Sequence, residues 1–338
     1  MAHRITLKPS GHTYEVEEGK TVLQAGLDAG RMLPYSCRAG VCRTCRGTIL
    51  EGRVDYGLVH ETYLPESDKA KGYALLCQAK PLTDLVVEVR EVHGVRPRII
   101  PCRVERFDKP AADVAVLGLR LPMNENFRFL AGQYIDILLK DGKRRSYSLA
   151  TKPDPGGVTA LEIHVRATPG GLFTEHVFSK LKVRDLLRFE GPLGSFYLRE
   201  ESDKPMILLA SGTGFAPIRS IIESALEKKI EQKRPMTLYW GCRIRPDLYQ
   251  MDLAQSWVRP GFNFVPVLSD EQWSGRMGFV HRAVMQDFPD MSGMQVYACG
   301  APIMVESARK DFGLQCRLPA EEFYADSFIT EADKALTP

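Results

Sequence analysis

The sequence predicts a multidomain chain with an α+β module first, an antiparallel β module second and an α/β module with a parallel sheet last. A chain of 338 residues exceeds the length of one ordinary core, so two or three domains are expected. The middle of the chain contains short segments in which apolar and polar residues alternate, as in strands, and turn residues separate these segments. Farther along, a buried-type strand leads through a glycine turn into a helix, which is the pattern of an α/β unit.

Composition and charge describe an ordinary globular protein. Hydrophobic residues make up 44% of the chain and charged residues 26%, and 28 Gly with 22 Pro indicate turns rather than disorder. A net charge of +3 gives no reason to expect nucleic acid or a membrane surface as a partner. The chain starts without the apolar stretch of a secretory signal, and no run is long enough to span a bilayer. We therefore expect a cytoplasmic protein whose cysteines are ligands, catalytic thiols or core residues rather than disulfides.

Three cysteines crowd into "SCRAGVCRTCRG", and a fourth stands apart in "YALLCQAKP". The spacing C-x4-C-x2-C with a distant last cysteine is typical of plant-type [2Fe–2S] clusters. We therefore predict that the metal ligands are Cys37, Cys42, Cys45 and Cys77. Zinc also accepts four thiolates, but structural zinc sites usually use two short C-x2-4-C pairs, and only one pair here has that form. Zinc, unligated core thiols and a redox disulfide remain the alternatives.

The segments that flank the cysteines predict a small α+β module. "EEGKTVLQAGLDAG" indicates one short helix, with a capping box of Thr21 and Gln24 at its start and Gly30 at its end. "RGTILEGRVDYG" and "DLVVEVREV" are typical of strands. Together with the cysteine spacing, these features make residues 1–93 resemble a plant-type ferredoxin domain of β-grasp fold. The resemblance implies a [2Fe–2S] cluster.

A stretch containing Gly and two Pro, "HGVRPRIIP", predicts a domain joint with a linker over residues 94–101. The segments that follow, from "CRVERF" to "DLLRFEG", are strand-like and separated by turns, as in an antiparallel barrel. Among them, "RRSYSLA" carries the pattern R-x-Y-S at Arg145, Tyr147 and Ser148. By itself this pattern is weak evidence for a binding site, because an Arg, an aromatic residue and a hydroxyl on one strand usually mark a half-buried face.

In its context the pattern resembles the flavin-binding β-barrel of the ferredoxin–NADP reductase superfamily, over residues 102–201. The resemblance implies bound FAD. It implies that Arg145 binds the flavin phosphates, that Tyr147 packs on the isoalloxazine, and that Ser148 is a catalytic residue hydrogen bonded to flavin N5.

Two further stretches of this module carry expected flavin contacts. "HVR" is similar to the segment with which the family contacts the flavin ribose and phosphates, mainly through the backbone, here at His164 and Val165. His164 as a strand histidine satisfied by protein partners is the open alternative. Gly170 and Gly171 precede a predicted helix with Thr174 in its first turn, and exposed amides at a helix amino terminus suit a pyrophosphate.

The third module begins with the strand "MILLA" and turns through glycines into a helix. A strand, a glycine turn and a helix amino terminus form the physical apparatus for a dinucleotide phosphate. The turn lacks the third Gly of G-x-G-x-x-G and resembles instead the GTGxAP turn of the superfamily's pyridine-nucleotide domain, over residues 202–338. The resemblance implies nucleotide contacts from the turn residues Gly212, Thr213, Gly214 and Pro217.

Two later strands support a nucleotide domain. "TLYWGCRIRPDLY" contains Gly241 and Arg243, where the family approaches the adenosine half of the nucleotide. "MQVYACGAPIMVESA" delivers Cys299 and Gly300 and then a helix with Met304. In the family the matching cysteine lies beside the nicotinamide and assists hydride alignment, which implies a catalytic Cys299. A buried strand-end thiol is the alternative.

The tail "EEFYADSF" ends an alternating strand at Asp326 and Phe328. Related reductases place an acidic residue and an aromatic here that reach back to the flavin. The resemblance therefore implies a catalytic Asp326 and a flavin contact from Phe328. The family commonly shows Glu-x-Phe, so Asp326 is a departure, and a plain edge strand is the alternative.

The coenzyme is predicted to be NADH, with NADPH as the alternative. Arg243 and Arg245 offer charge for a 2′-phosphate. Asp247, close behind them, would repel that phosphate and accept a hydrogen bond from a ribose hydroxyl.

The order of modules resembles bacterial NAD(P)H reductases that feed aromatic-ring dioxygenases, phenol and methane monooxygenases, or deoxysugar synthesis. The resemblance implies an iron–sulfur flavoprotein that passes electrons from NAD(P)H through FAD and the cluster to a separate acceptor protein, an oxygenase, hydroxylase or dehydratase component. Arg38, Arg43 and Arg46, beside the ligands, are then interpreted as tuning or docking charges, or as solvated loop charges. The alternatives are a stand-alone flavin reductase or oxidase with small acceptors, and a non-catalytic iron–sulfur or zinc module.

Overall fold

The computed structural model describes residues 2–92 and 95–329. The packing of the chain divides it into two compact units. The first unit holds the chain up to Arg96 together with Gly194–Phe196 and the chain from Asp326 onward, and the second holds the rest. His93 and Gly94, at the predicted joint, and the end of the chain from Thr330 lie outside the described residues.

The first unit is an α+β unit with a mixed five-stranded sheet. Its elements are β1 (His3–Lys8), β2 (Thr13–Val16), α1 (Val22–Asp28), β3 (Arg46–Glu51), β4 (Val54–Asp55), α2 (Glu66–Lys69), β5 (Tyr73–Leu75), β6 (Lys80–Pro81) and β7 (Leu85–Glu88). The order is β2-β1-β7-β3-β5, with β1 parallel to β7, and β4 pairs with β6. The predicted helix cap is confirmed, because Thr21 Oγ1 accepts from Gln24 N at 3.2 Å. The Gln24 side chain donates to Asp28 instead of the cap, so half of the capping box forms.

The second unit begins with a six-stranded antiparallel sheet. Its elements are β8 (Arg98–Ala111), β9 (Val114–Arg120), β10 (Tyr134–Leu138), β11 (Arg144–Ser148), β12 (Ala160–Arg166), α3 (Leu172–Ser179) and β13 (Leu186–Leu193). The order is β11-β10-β13-β8-β9-β12. The sequence predicts an antiparallel barrel. The antiparallel strands are present, but among the described residues their order is open, and an isolated bridge between Leu149 and Ile163 links its two ends.

The joint before this sheet is shorter than predicted. The sequence predicts a linker over residues 94–101, but β8 already begins at Arg98. Ile100 and Cys102 are buried, and they pair with residues of β13. Buried and exposed residues therefore alternate, as in a half-buried strand, from Ile100 onward. This stretch lies within the residues whose Gly and Pro content suggested a linker.

A parallel sheet with helices follows, and it belongs to the second unit except for Asp326 and Ser327, the last two residues of its final strand. Its elements are β14 (Met206–Ser211), α4 (Phe215–Glu227), β15 (Met236–Cys242), α5 (Met251–Ser256), β16 (Phe262–Leu268), β17 (Arg276–Met277), α6 (Val280–Asp287), β18 (Gln295–Gly300), α7 (Pro302–Gln315) and β19 (Phe323–Ser327). The order is β17-β16-β15-β14-β18-β19, and β14 is parallel to both β15 and β18. The strand order reverses at β14, where open α/β sheets bind ligands beyond the carboxyl ends of their strands. In the part of the chain that is described, no helix has the length and apolarity needed to cross a bilayer.

Candidate redox and nucleotide sites

The four predicted metal ligands meet in the first unit as two pairs of thiols. Cys37 lies against Cys42, and Cys45 lies against Cys77. The contact with Cys42 and burial raise the pKa of the Cys37 thiol, and the contact with Cys77 and burial raise the pKa of Cys45. Four thiolates can share so buried a place only with positive charge among them, which a metal centre supplies.

This pairing fits a two-iron cluster better than a single zinc ion. A [2Fe–2S] cluster held by four cysteines has two thiolates on each iron, whereas structural zinc gathers four ligands around one ion. The residues present therefore fit the predicted cluster.

The loop around the first ligand is shaped to present amide groups to sulfur. The backbone N–H groups of Ala39 and Cys42 donate to Cys37 Sγ at 3.3 and 3.4 Å. Gly40 has φ +75°, and a Cβ there would lie 3.0 Å from the side chain of Gln78. Hydrogen bonds to ligand sulfur stabilise the thiolate and tune a cluster potential.

Two of the arginines beside the ligands are engaged by the protein. Arg43 donates to the carbonyl of Thr62, and Arg46 lies over the ring of Tyr73 at 4.4 Å from its centroid. Both side chains are therefore less available to a docking partner than freely solvated charges, and the docking role of these arginines stays a prediction.

Distant segments hold the residues just before the first ligand. Tyr35 N donates to Ser195 Oγ at 2.9 Å, and Ser195 N donates back to Tyr35 O at 2.9 Å. The Ser36 hydroxyl donates to the Asp326 carboxylate, and both side chains are buried. Sequence reasoning missed Tyr35, Ser36 and Ser195. The available signal was the position of Tyr35 and Ser36 just before Cys37. Nothing in the sequence indicated their partners, which lie 160 and 290 residues away.

The R-x-Y-S residues Arg145, Tyr147 and Ser148 lie on β11, and α3 follows later in the chain after β12. Ser148 is buried, and the ring of Tyr147 packs against Phe173 of α3 at a centroid distance of 5.3 Å. Burial raises the pKa of Tyr147, so its hydroxyl stays neutral at physiological pH. Arg145 donates to the Arg144 carbonyl at 2.8 Å. The packing brings the motif strand next to the amino-terminal turn of α3.

That turn has the predicted glycine geometry. Gly170 has φ +70°, and Gly171 is the N-cap residue of α3. Thr174 Oγ1 donates to the carbonyls of Thr168 and Gly171, each at 3.0 Å. The Thr174 side chain therefore builds the turn, and its predicted contact with the cofactor stays a prediction.

The side chain of His164 is satisfied by protein partners. Its Nε2 lies 2.9 Å from Glu162 Oε1, and its Nδ1 lies 2.8 Å from the Tyr249 hydroxyl. Burial lowers the pKa of His164. Burial of Glu162 opposes its ionisation, but the hydrogen bond with His164 and the charge of Arg219 hold its pKa at about 2. The side chain matches the alternative of a satisfied strand histidine, and flavin contacts from the backbone of His164 and Val165 stay predictions.

The glycine turn after β14 packs backbone to backbone on the end of β18. A Cβ at Gly214 would lie 2.5 Å from the carbonyl carbon of Cys299 and 2.8 Å from Gly300 Cα. Gly300 has φ +137°, and a Cβ there would lie 2.6 Å from the carbonyl oxygen of Ser211. Only glycine therefore fits at both positions, and the turn presents bare backbone amides at the switch point of the sheet.

A half-buried guanidinium, that of Arg166, faces this turn. A Cβ at Gly212 would lie 3.3 Å from Arg166 Cζ. Arg166 Nη2 is buried and has no hydrogen-bond partner among the described residues, and its Nε lies 3.5 Å from Asp113 Oδ2. A half-buried guanidinium with an unused buried donor beside a glycine turn suits a phosphate. Sequence reasoning grouped Arg166 with the flavin segment and missed this position.

The other residues predicted to bind the nucleotide lie at the same end of the sheet, except Phe328, which is predicted to contact the flavin. Cys299 is fully buried at the end of β18, and Met304 is buried in the first turn of α7. Thr213 and Pro217 are buried in the turn and at the start of α4. Gly241, on β15, would place a Cβ 2.6 Å from Val280. Phe328 is half-buried just after β19, and the structure assigns it to the first unit.

Carboxylates follow β15 where the adenosine half is expected. Arg243 is largely exposed, and its Nε lies 3.8 Å from Asp247 Oδ2. The Arg245 backbone N–H donates to Glu271 Oε2 at 2.7 Å. Acidic groups here favour ribose hydroxyls over a 2′-phosphate.

Three family models match the chain in the predicted order. They are a 2Fe-2S iron-sulfur cluster binding domain at residues 5–82, an oxidoreductase FAD-binding domain at 101–197 and an oxidoreductase NAD-binding domain at 208–310. Together with the geometry above, they define an NAD(P)H-dependent iron–sulfur flavoprotein oxidoreductase.

Relatives align over nearly the whole chain. The CDP-6-deoxy-L-threo-D-glycero-4-hexulose-3-dehydrase reductase of Yersinia pseudotuberculosis is 38% identical over 336 residues, 97% of this chain and 99% of the relative. The phenol 2-monooxygenase reductase component of a Pseudomonas species is 34% identical, over 99% of this chain and 97% of the relative. The crystal structure of an Amycolatopsis cytochrome P450 reductase superposes with a TM-score of 0.77 at 36% identity, covering 96% of this chain and 98% of that one. The chain belongs to this family of three-module reductase components.

Proposed function

We propose that the chain takes hydride from NADH and delivers electrons singly to a separate dehydrase component of deoxysugar synthesis. The observation that carries the electron route is the meeting of four cysteines as two pairs in a chain that also carries the flavin and nucleotide modules. The choice of acceptor rests on a reductase of a hexulose dehydrase that is 38% identical over nearly the full length. An oxygenase is the second candidate, since an aromatic O-demethylase reductase subunit of Amycolatopsis is 39% identical over 89% of this chain.

The chemistry of the route comes from the bound groups, and the chain holds and orients them. When bound, FAD accepts electrons as a pair and passes them on singly, and a [2Fe–2S] cluster takes one electron at a time. Arg166 and the amides around Gly212 and Gly214 hold the nucleotide phosphates. Cys299 and Ser148 align the reacting ends of nucleotide and flavin.

The flavin site is proposed at β11 and α3. Arg145 holds the flavin phosphates together with the amides after Gly171, and Tyr147 covers the isoalloxazine. The Leu149–Ile163 bridge and the hydrogen bond from Ala150 N to Glu162 O, at 2.9 Å, support a sheet that curls into a barrel around this site. The domain boundaries at 1–93, 102–201 and 202–338 belong to the same proposal. They are supported by the family matches, since those at 5–82 and 208–310 lie inside the first and last ranges and that at 101–197 begins one residue before the middle range.

NADH is the proposed coenzyme because Asp247 follows β15, and Glu271, which follows β16, accepts from the Arg245 backbone N–H beside it. Steady-state kinetics with both coenzymes test this choice. A cytoplasmic location is proposed because thiols that ligate iron suit a reducing compartment.

The proposed acceptor is tested by turnover under anaerobic conditions with a purified hexulose dehydrase component, with a purified oxygenase component, and with free FAD. NADH oxidation that depends on the dehydrase component supports the proposal. Turnover that is as fast with free FAD as with either protein contradicts it and supports the stand-alone flavin reductase.

A further inference from the structure

A hydrogen bond joins the residue before the first cluster ligand to the end of the chain. The Ser36 hydroxyl donates to the carboxylate of Asp326, 290 residues later. Ser36 is 4% exposed and Asp326 is 6% exposed, so water does not compete for this bond. A buried hydrogen bond to an ionised acceptor contributes more to order than an exposed neutral one.

A second contact fixes the neighbouring residue. Ser195 exchanges backbone and side-chain hydrogen bonds with Tyr35, with Ser195 N and Oγ both donating to the Tyr35 carbonyl at 2.9 and 3.0 Å. Residues 194–196 and the chain from 326 belong to the same compact unit as the cluster loop. Two consecutive loop residues are therefore anchored by two segments from far along the chain.

The loop that these anchors hold is strained. Arg38 and Arg43 have φ of 54° and 60°, in the left-handed region that costs a non-glycine residue energy. Such a conformation persists only where its surroundings impose it. The bonds at Tyr35 and Ser36 lie at the start of this loop, two residues and one residue before Cys37.

We propose that Asp326 is a positioning residue for the cluster loop, acting through Ser36 on Cys37, rather than a catalytic acid at the flavin. The inference rests on the proposed function, because the step it serves is the arrival of one electron at the cluster, with no bond made or broken. A displaced loop changes the hydrogen bonds around the ligand sulfur, on which the potential of a cluster depends, and is therefore expected to slow the arrival of the electron.

A set of variants distinguishes a positioning role of Asp326 at the cluster loop from a catalytic role at the flavin. Ser36→Ala removes the donor, Asp326→Ala removes the acceptor, and Asp326→Asn keeps an acceptor oxygen but no charge. Ser36→Thr keeps the hydroxyl, and Ser10→Ala, in the turn between β1 and β2, is the matched control. Stopped-flow absorbance resolves flavin bleaching by NADH from cluster reduction, and the EPR spectrum of the dithionite-reduced cluster reports ligand geometry without NADH or flavin.

Positioning predicts that Ser36→Ala and Asp326→Ala slow cluster reduction about tenfold, the size of effect usual for loss of a partner that orients a metal ligand, and change the EPR spectrum. Flavin bleaching is expected to stay within about twofold. The double variant is expected to be no worse than either single one, and Asp326→Asn and Ser36→Thr are expected to retain most of the rate. If the alanine variants lose iron, the rates of cluster reduction and flavin bleaching in Asp326→Asn and Ser36→Thr are compared with those of the parent protein. Rates close to those of the parent support positioning, and slowed flavin bleaching in Asp326→Asn alone contradicts it.

The inference is overturned if Asp326→Asn and Asp326→Ala both slow flavin bleaching while Ser36→Ala behaves like Ser10→Ala. It is also overturned if the EPR spectra of all variants match that of the parent. A parent protein whose cluster is not reduced by NADH contradicts the proposed function instead, and the EPR comparison with dithionite still tests the inference.

Discussion

A methyl group at Gly214 is predicted to disable hydride transfer by pushing the nucleotide turn away from Cys299. The Cβ of Gly214→Ala would lie 2.5 Å from the Cys299 carbonyl carbon, about 0.9 Å inside the 3.4 Å of an ordinary contact. It would also lie 2.8 Å from Gly300 Cα. Both neighbours are backbone, so no side-chain rotation relieves the overlap, and β14 and β18 must separate at this end.

The size of the effect follows from that displacement. Overpacking of this kind costs about 1–3 kcal/mol of stability. A shift of about 1 Å at a site that aligns reacting groups costs up to about 100-fold in rate. We therefore expect Gly214→Ala to fold with a lowered Tm and to bleach its flavin about 10- to 100-fold more slowly at saturating NADH.

The assay is anaerobic stopped-flow absorbance at saturating NADH, with Tm followed by circular dichroism. Gly293→Ala is the control, because a Cβ there meets no atom within 4 Å and lies in the same sheet module. Bleaching of Gly214→Ala at the rate of Gly293→Ala would refute the close contact between the glycine turn and Cys299.

Three further predictions concern single residues. Arg166→Ala is expected to raise the KM for NADH about tenfold or more in steady-state kinetics, because a charge-assisted hydrogen bond contributes about 1.5–3 kcal/mol, and an unchanged KM would remove Arg166 from the phosphate site. Cys77→Ala is expected to lose iron and sulfide in chemical analysis while NADH still bleaches the flavin, and full iron content would exclude Cys77 as a ligand. The pKa of Glu162 is lowered from 4.5 to about 2 in the folded protein. The ionised carboxylate therefore adds to the free energy of unfolding above pH 4.5, and this stabilisation is lost as the pH falls toward 2. Glu162→Gln is therefore expected to lower the free energy of unfolding at pH 7 by about 2–3 kcal/mol and to flatten the acid decline, measured by tryptophan fluorescence in urea, and parallel pH curves would contradict this.

Features set by neighbouring residues could be predicted from the sequence. The Thr21 cap, the helix after Gly171 and the strand, turn and helix at β14 and α4 all form where the local pattern indicates them. Each depends on contacts within a few residues, which a sequence displays directly.

Features set by distant contacts could not be predicted. Arg166 belongs to the flavin module in sequence, and it faces Gly212 because β12 ends beside the turn after β14. The partner of Asp326 is Ser36, and nothing in either stretch indicates the other. The Gly and Pro residues before β8 suggested a linker, although Ile100 and Cys102 alternate with polar residues as in a strand. Pairing with β13, which is distant in the sequence, makes this stretch a strand.

The central claim is that electrons taken from NADH reach iron held by the four cysteines near the amino terminus. Anaerobic mixing of the holoprotein with NADH, followed by rapid freezing and EPR, tests it most directly. We predict that a rhombic signal of a reduced [2Fe–2S] cluster grows as the flavin is reoxidised. Flavin that bleaches fully while no iron signal appears, in protein that contains iron and sulfide, would contradict the claim.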